Sequence, residues 1–187
     1  MRYRIVSGSA VALLLAGTGA GWLHHHTTRF DDLIRQAAVR QSVDFWLVKA
    51  LIFEESWFRP KARGEAGELG LMQLTAAAAK DFTARKGLFP VREDRLLEPR
   101  LNLEIGCWYL RQSLNRYQKT PRPELFALLR YNAGETRADS WVKRVLASPA
   151  PAGVDVEDHY FSLVDFPKTR EYARRILKRA RSRSFWF

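Results

Sequence analysis

One acidic residue, Glu55, falls on the apolar face of a predicted helix. At about 100° of rotation per helical residue, apolar side chains form an arc with Glu55 close to its middle; the arc consists of Leu47, Val48, Leu51 and Ile52, with Phe45 at its edge. Full burial of an ionised carboxylate costs several kcal/mol, so such a group is neutral, paired, or set at the floor of a cleft. Two of these three arrangements leave an acid that donates a proton near neutral pH.

Glu54 is the adjacent alternative, and it points to the flank of the apolar arc. A glutamate at the end of an amphipathic helix is most often only solvated. Helical geometry by itself therefore leaves both a catalytic and a merely solvent-exposed interpretation of Glu55 open. Of the two glutamates, Glu55 is the stronger candidate for a catalytic acid.

A series of short motifs follows the Glu55-Ser56 pair. The helix is expected to stop at Arg59-Pro60, because a residue before proline is pushed out of the α region. A glycine-containing loop then leads to Gly70-Leu71-Met72-Gln73. Three further motifs come later: Leu97-Glu98-Pro99-Arg100-Leu101-Asn102 before a helix, Tyr131-Asn132-Ala133-Gly134, and Phe166-Pro167-Lys168-Thr169-Arg170-Glu171-Tyr172.

In their order and spacing these motifs resemble the lytic transglycosylase domain of the soluble (SLT) type, a member of the lysozyme-like superfamily. The resemblance covers about residues 40 to 178. It implies a mainly α-helical, lysozyme-like domain with at most a short β-hairpin in the loop from Pro60 to Gly70. One departure is Phe53-Glu54, where the family often has a polar residue before its Glu-Ser pair.

The resemblance also implies a reaction that needs one protein carboxylate. Family members use a single glutamate on the β-1,4 bond between N-acetylmuramic acid and N-acetylglucosamine of peptidoglycan. Carried over, Glu55 would protonate the leaving oxygen while the muramoyl N-acetyl group stabilises positive charge. Glu55 would then take the proton of the C6 hydroxyl as this hydroxyl attacks, which gives a 1,6-anhydromuramoyl end without water. An intramolecular nucleophile has a very large effective molarity, so a second carboxylate is dispensable.

Supporting roles are implied for Ser56, next to the catalytic glutamate, and for the glycine motif. Ser56 would help to position Glu55 and the N-acetyl group. Gly70 would provide the tight turn that presents Met72 and Gln73 to the glycan. Met72 also has a purely structural interpretation as a core side chain.

The later motifs imply three more supporting residues. Tyr131 and Asn132 would line the opposite wall of the site, and Tyr172 would form a hydrogen bond near Glu55. Their structural alternatives are a helix C-cap for Asn132 and half-buried packing for the two tyrosines.

Two other functions remain open at this stage. A muramidase that uses water would need a second carboxylate, for which Glu54, Glu65 and Glu68 are available. A non-catalytic peptidoglycan-binding scaffold of an envelope assembly is the alternative from another class of protein, although the intact Glu55-Ser56 pair argues against it.

The helical pattern is regular enough to place most elements. We predict helices over Phe30–Gln41, from Asp44 as N-cap to the Glu55 region, over Ala76–Lys86 between Thr75 and Gly87, over about Asn102–Gln118, from Glu124 to the Tyr131 motif, over Trp141–Leu146 and over Thr169–Arg181. Residues 148–154, rich in proline and alanine, are expected to form an exposed loop.

Composition indicates one domain with appendages. The 187 residues are 47% hydrophobic, with six tryptophans and eleven phenylalanines, which suffices for one sizeable core. We divide the chain into residues 1–27, a catalytic domain at 28–181, and a basic, aromatic tail at 182–187. The one cysteine, Cys107, excludes an intrachain disulfide and is expected to pack as a small apolar side chain.

The charge of the chain indicates an anionic partner. The formal net charge is +11 and the isoelectric point is about 10.2. The sequence contains no helix-turn-helix, zinc or RNA-recognition signature, so nucleic acid is not predicted as a partner. Peptidoglycan glycan strands, whose peptides bear carboxylates, and anionic phospholipids fit the charge. The basic residues at 174–183 are interpreted as a solvated face, with binding to lipid headgroups as the alternative.

The N-terminal segment predicts export. Arg2 and Arg4 precede the uncharged stretch Ile5–Leu23, which is just long enough to cross a hydrocarbon core of roughly 30 Å. This charge order places the N-terminus in the cytoplasm and the rest in the bacterial periplasm. The segment is either an anchor in the inner membrane or a signal peptide cleaved near Thr18-Gly19-Ala20. The histidines at 24–26 are interpreted as a polar juxtamembrane stretch, and neither a metal nor an organic cofactor is predicted.

Overall fold

The computed structural model of the chain describes residues 21–186, and it is mainly helical. Residues 21–28 are helical. The α-helices that follow are α1 (Asp31–Gln41), α2 (Phe45–Ser56), α3 (Ala76–Lys86), α4 (Pro99–Arg116), α5 (Pro123–Ala133), α6 (Glu135–Ala147), α7 (Val156–Ser162) and α8 (Pro167–Arg181). Two 3-10 helices complete the list, at Glu93–Leu97 and Arg183–Trp186.

Capping side chains explain several helix boundaries that the sequence predicted. The carboxylate of Asp44 accepts a hydrogen bond from the backbone N–H of Leu47 at 2.8 Å, which starts α2. The hydroxyl of Thr75 does the same for α3, and Gly87 ends that helix with a φ of 63°. These boundaries of α2 and α3 are therefore confirmed.

Other boundaries differ from the sequence-based expectation. Helix α2 ends at Ser56, three residues before Arg59, because Trp57 and Phe58 adopt left-handed backbone angles with φ of 53° and 56°. This turn places the Phe58 ring fully inside the core. Helix α4 begins at Pro99, since proline is compatible with the first helical turn. Helix α6 is longer than predicted, and α7, capped by Asp155, was not predicted.

The loop between α2 and α3 contains little β-structure. In the described residues it forms two isolated antiparallel bridges, which pair Leu69 with Arg63 and with Leu74. Leu69 and Leu74 exchange two backbone hydrogen bonds of 2.9 Å. The bridges draw residues 69–74 into a tight turn directly beside the Glu55 helix.

The packing of the helices brings the two ends of the domain together. Helix α2 packs against α1 and α8, while α4 packs against α1, α3 and α5. Helix α5 also contacts α6 and α8. The last long helix therefore lies against the helix that carries Glu55, although the two are far apart in sequence.

The end of the described chain is part of the core. Trp186 is buried, and its ring packs edge-on against Phe53 and Phe58, with centroid distances of 5.8 and 6.2 Å. The buried Lys49 ammonium lies 5.0 Å from the centre of the Trp186 ring and forms an ion pair with Asp31 at 2.8 Å. The basic residues of α8 are largely engaged in ion pairs; these are Arg174, Arg175, Arg179 and Arg181.

The predicted N-terminal hydrophobic segment lies almost entirely outside the described residues. Among residues 21–186, no helix combines the length and the hydropathy that crossing a bilayer requires.

Candidate active site

The carboxyl group of Glu55 lies in the last turn of α2 and is partly buried. Burial raises its pKa from 4.5 to about 7. The hydrogen bond from Tyr172 lowers this pKa, whereas the charges of Glu54 and Glu68 raise it further. At neutral pH the protonated and ionised forms are therefore both populated, as a group that acts first as acid and then as base requires.

Tyr172, in α8, is the direct partner of this carboxyl group. Its buried hydroxyl donates a hydrogen bond to Glu55 Oε1. Burial, and next the charge of Glu55, hold the pKa of Tyr172 well above its usual value, so the phenol keeps its proton. Oε1 of Glu55 is thus occupied by this donor.

Tyr131 approaches the same region from the end of α5. Its hydroxyl donates to the carbonyl oxygen of Met72 at 2.7 Å, and its ring packs edge-on against Tyr109 with a centroid distance of 5.7 Å. Burial raises the pKa of Tyr131, with the charge of Glu55 as the next cause. Tyr131 thus attaches α5 to the turn at residues 70–73.

The fully buried side chain of Asn102, in α4, stabilises the turn at residues 70–73. Asn102 Oδ1 accepts from the backbone N–H of Met72 at 2.8 Å. Its Nδ2 donates to the carbonyl oxygens of Leu69 and Leu96 at 2.8 and 2.7 Å. One amide side chain therefore satisfies three backbone groups and fixes the turn relative to α4.

Gly70 is required at this turn for two reasons. Its φ of 80° is strained for any residue with a Cβ atom. A Cβ at this position would also clash with Asn102 Nδ2 and would lie 2.5 Å from the carbonyl oxygen of Leu96. The backbone can approach the Asn102 amide only because no side chain is present.

Two side chains stabilise the turn at residues 70–73. Ser56 connects the turn to α2, and Gln73 forms a hydrogen bond within the turn. The buried Ser56 hydroxyl donates to the carbonyl oxygens of Leu71 at 2.7 Å and of Ile52 at 3.2 Å. Gln73, with a φ of 45°, donates from Nε2 to the Gly70 carbonyl oxygen at 2.8 Å and stays partly exposed. Ser56 therefore links the last turn of α2, which carries Glu55, to the backbone of the turn at residues 70–73.

Asn132 lies at the exposed side of the site. Its Oδ1 accepts a hydrogen bond of 2.6 Å from the Thr169 hydroxyl in α8. This contact joins the Tyr131-Asn132 segment to the helix that carries Tyr172.

Of the three other candidate carboxylates, Glu54 and Glu68 accept hydrogen bonds from groups other than Glu55. Glu54 Oε1 accepts from Arg175 Nε at 2.8 Å, and Glu54 Oε2 accepts from Arg179 Nη1 at 2.6 Å. Burial raises the pKa of Glu54, but the two arginines outweigh this effect and hold it below its usual value. Glu68 Oε2 accepts from the backbone N–H of Ala66 at 3.1 Å, and Glu65 is exposed.

The family model of the transglycosylase SLT domain matches residues 32–150, which is more than half of the chain. The chain belongs to this SLT family. The match includes Glu55, the turn at residues 70–73 and Tyr131, and it ends before Tyr172. Helix α8, which carries Tyr172, thus lies outside the residues matched by the family model, although it contributes a side chain to the site.

Two curated relatives of this SLT chain illustrate the range of the family. Membrane-bound lytic murein transglycosylase F of Desulfosudis oleivorans is 35% identical over 109 residues, which are 57% of this chain and 22% of that protein. Soluble lytic murein transglycosylase of Salmonella typhimurium is 29% identical over 174 residues, 88% of this chain and 25% of that protein. The chain spans about a quarter of the length of these relatives.

A solved structure shows the same fold. It is the X-ray structure of an inactive glutamate-to-glutamine mutant of the lytic transglycosylase Slt from Pseudomonas aeruginosa. The TM-score is 0.70 at 24% sequence identity, and the similarity covers 82% of this chain and 23% of the other.

The SLT fold changes the interpretation of one predicted contact residue. Met72 was expected to face the glycan, but its side chain is fully buried against Gly106, where a Cβ atom would lie 2.9 Å from Met72 Cε. The structural interpretation of Met72 is thus the one that its burial supports. Its backbone, which bonds Tyr131 and Asn102, is the part that shapes the site.

Some site residues of this SLT domain were not singled out from the sequence. Asn102 falls on the apolar face of α4 beside Leu103 and Gly106, which is the same kind of signal that identified Glu55. The arginine partners of Glu54, Arg175 and Arg179, carry no such signal, since basic residues at helical spacing are usually solvated.

Of the three histidines at 24–26, His26 makes contacts within the fold. His26 Nε2 lies 2.7 Å from the Trp57 carbonyl oxygen, and its ring packs against Trp22 and Trp57. Among residues 21–186, no cluster of three or more His, Cys, Asp or Glu side chains has the geometry of a metal site.

Proposed function

We propose that this chain is a peptidoglycan lytic transglycosylase that cleaves the β-1,4 bond between N-acetylmuramic acid and N-acetylglucosamine and leaves 1,6-anhydromuramoyl ends. The observation that carries the proposal is the Glu55 carboxyl, which is partly buried, has a pKa of about 7 and is oriented by Tyr172. Membership of the SLT family and the names of the lytic murein transglycosylases that it resembles support the same reaction.

In the first step the protonated Glu55 acts as general acid. Its Oε2 proton passes to the oxygen that leaves from C1 of the muramoyl residue, and the C1–O bond breaks. The 2-N-acetyl group of the same sugar stabilises the positive charge at C1. A pKa of about 7 makes the protonated form abundant at neutral pH, whereas a glutamate at its ordinary value of 4.5 would be almost entirely ionised.

In the second step the ionised Glu55 acts as general base. It takes the proton of the C6 hydroxyl while O6 bonds to C1, so the 1,6-anhydro ring closes and Glu55 regains its proton. No water enters the balance. Tyr172 stabilises the carboxylate between the two steps, because a donor to the ionised form lowers its free energy.

The charges around Glu55 favour this route over hydrolysis with a second carboxylate. Glu54 is occupied by Arg175 and Arg179, and Glu68 accepts a hydrogen bond from its own loop. The third candidate, Glu65, is exposed and is not among the charges that shift the pKa of Glu55. A water-using muramidase would need one of these groups to activate water or to act on the sugar carbon. Intramolecular attack by O6 removes that requirement.

The test is mass spectrometry of the fragments that the purified full chain, in detergent, releases from peptidoglycan sacculi. Anhydro-ended fragments are about 18 Da lighter than hydrolysis products, because no water is added across the bond. We expect anhydro ends from the wild type and from Glu54→Gln, and none from Glu55→Gln. Reducing ends would identify a muramidase. Sacculus binding without release by the wild type would identify a scaffold.

We further propose that the chain acts in the bacterial periplasm, with residues 28–181 as its catalytic domain. Residues 1–27 would direct export, either as an inner-membrane anchor or as a cleaved signal peptide. Cell fractionation combined with N-terminal sequencing of the isolated protein tests this proposal. Full-length protein in the membrane fraction would indicate the anchor, a shortened soluble protein the signal peptide, and cytoplasmic protein would contradict export.

A further inference from the structure

The residue before the catalytic candidate makes an unusual set of contacts. The Glu54 side chain is only 13% exposed, and each of its two carboxylate oxygens accepts a hydrogen bond from an arginine of α8. Arg175 donates through Nε at 2.8 Å and also through Nη2, and Arg179 donates through Nη1 at 2.6 Å. Hydrogen bonds between ionised groups are the stronger kind, and this carboxylate has at least three.

The same face of α8 also carries the donor to Glu55. Tyr172, Arg175 and Arg179 are spaced by three and four residues, so they share one side of the helix. Two consecutive residues of α2 are thus held by one face of α8, Glu55 by a phenol and Glu54 by two guanidinium groups. The Arg179 guanidinium also lies over the Phe53 ring, 4.3 Å from its centre, which limits its movement.

The titratable groups that face Glu55 come from four parts of the fold. Glu54 lies beside it on α2, Glu68 on the following loop, Tyr131 on α5 and Tyr172 on α8. The two tyrosines are neutral. Glu54 is the carboxylate nearest in sequence, and it is the one whose charge two cations offset.

We propose that Arg175, Glu54 and Arg179 form a positioning clamp that sets the net charge beside Glu55 and holds Tyr172 against it. The inference rests on the proposed function, since it assigns residues that tune the proposed acid. When both arginines are paired with Glu54, the three side chains together carry a net charge of one positive unit. Without the arginines the same place carries one negative charge, and without the Glu54 charge it carries two positive charges.

These charge changes predict opposite effects on Glu55. Replacing both arginines, as Arg175→Gln with Arg179→Gln, favours the protonated form and raises the titration midpoint of Glu55 by about half to one pH unit. Replacing Glu54→Gln favours the ionised form and lowers the midpoint by a similar amount. The Arg175→Lys, Arg179→Lys variant keeps the charge, so it retains the wild-type midpoint.

The experiment is a carbon-13 NMR titration of side-chain carboxyls in the full chain labelled at glutamate, with the Glu55 signal assigned from Glu55→Gln. The pH profile of fragment release from sacculi is recorded for the same variants. Its alkaline limb is expected to move in the same direction as the Glu55 midpoint. The matched control is Arg181→Gln, which removes an arginine on another side of α8 that pairs with Glu157 at 2.8 Å.

The outcomes separate this proposal from the proposed function. Opposite midpoint shifts in the two charge variants support the clamp, even if no variant forms anhydro ends. Equal shifts, no shifts, or a comparable shift in Arg181→Gln overturn it, whatever the products are. If the double glutamine variant does not fold, Arg175→Gln and Arg179→Gln replace it as single variants. Each removes one positive charge, so each is expected to raise the Glu55 midpoint, in the direction opposite to Glu54→Gln.

Discussion

Tyr172 donates a hydrogen bond to Glu55 across 117 residues of sequence. The two side chains belong to α8 and α2, which are far apart in sequence but pack directly against each other. Burial of the pair raises the pKa of both groups, and the phenol in turn restrains the rise at Glu55. The acid of the proposed reaction is therefore a product of the packing between these two helices.

Removing the Tyr172 hydroxyl tests this relationship. In Tyr172→Phe the ionised form of Glu55 loses a hydrogen bond worth about 1.5–3 kcal/mol, so the rate is expected to fall by about 10- to 100-fold. Without this hydrogen bond the pKa of Glu55 rises above about 7, so the alkaline limb of the pH–rate profile shifts to higher pH. Kinetics of fragment release between pH 5 and 9 measure both effects.

A suitable control is Tyr117→Phe, which removes another tyrosine–carboxylate hydrogen bond, of 2.8 Å to Asp139, outside the candidate site. It is expected to lower stability without moving the pH profile. A Tyr172→Phe variant with an unchanged alkaline limb would contradict a direct action on Glu55.

The raised pKa of Glu55 also predicts how stability depends on pH. In the folded chain this group titrates at about 7, against 4.5 when unfolded, so its contribution to stability is complete below pH 4.5 and is lost as the pH rises through 7. Glutamine does not titrate. The free energy of unfolding of Glu55→Gln relative to wild type should therefore increase by up to about 3 kcal/mol between pH 4.5 and 8, as measured by urea unfolding.

The neighbouring variant provides the opposite sign. The pKa of Glu54 is lowered in the folded chain, so its charge stabilises the fold above its unfolded pKa and this contribution is lost as the pH falls. Glu54→Gln is accordingly expected to be less stable than wild type at pH 8. As the pH rises, the stabilities of the two variants relative to wild type should therefore change in opposite directions. A parallel change would argue against the burial of Glu55.

Gly70 and Gly67 form a matched pair for the turn beside Glu55. Both have positive φ, 80° and 88°, but a Cβ at Gly67 meets no atom within 4 Å, whereas one at Gly70 clashes with Asn102. We expect Gly67→Ala to cost about 1 kcal/mol of strain and Gly70→Ala about 3 kcal/mol, since overpacking is added. Thermal unfolding of both variants measures the difference. Equal costs would mean that the approach to Asn102 is not constrained.

Asn102 is expected to be essential for the order of the turn. Asn102→Ala leaves the Met72 N–H and the Leu69 and Leu96 carbonyl groups without their partner, at a cost of about 3 kcal/mol. Hydrogen exchange at the Met72 amide should accelerate strongly. Asn115→Ala, on the exposed side of the same helix, serves as control and should change stability by less than about 0.5 kcal/mol. Slow exchange at Met72 in the Asn102 variant would contradict this role.

Much of the helical fold could be predicted from local signals. Asp44, Thr75 and Gly87 have side chains or backbone freedom that act within one helical turn, so their effect does not depend on the rest of the chain. The same holds for Glu55, whose position on the apolar face of α2 follows from helical periodicity alone. These features are encoded over short distances and are readable without a structure.

The remaining features depend on contacts that no local pattern specifies. The early end of α2 follows from the burial of the Phe58 ring, which needs a core contributed by distant residues. The pairing of Glu54 with Arg175 and Arg179 requires the packing of α2 on α8. The burial of Met72 depends on the missing side chain at Gly106 in another helix. In each case the decisive partner lies more than 30 residues away or is the absence of an atom.

The separation of Glu55 from Tyr172 along the chain has a consequence for when activity can exist. A chain that emerges N-terminus first contains the whole family match, residues 32–150, before it contains the donor to its acid. Until α8 has been synthesised, Glu55 lacks its hydrogen-bond donor and the helix that packs against α2. Residues 151–156, which are exposed, follow the family match and lead into α7 and then α8. A chain that ends within these residues would retain Glu55 but would lack Tyr172 and the whole of α8.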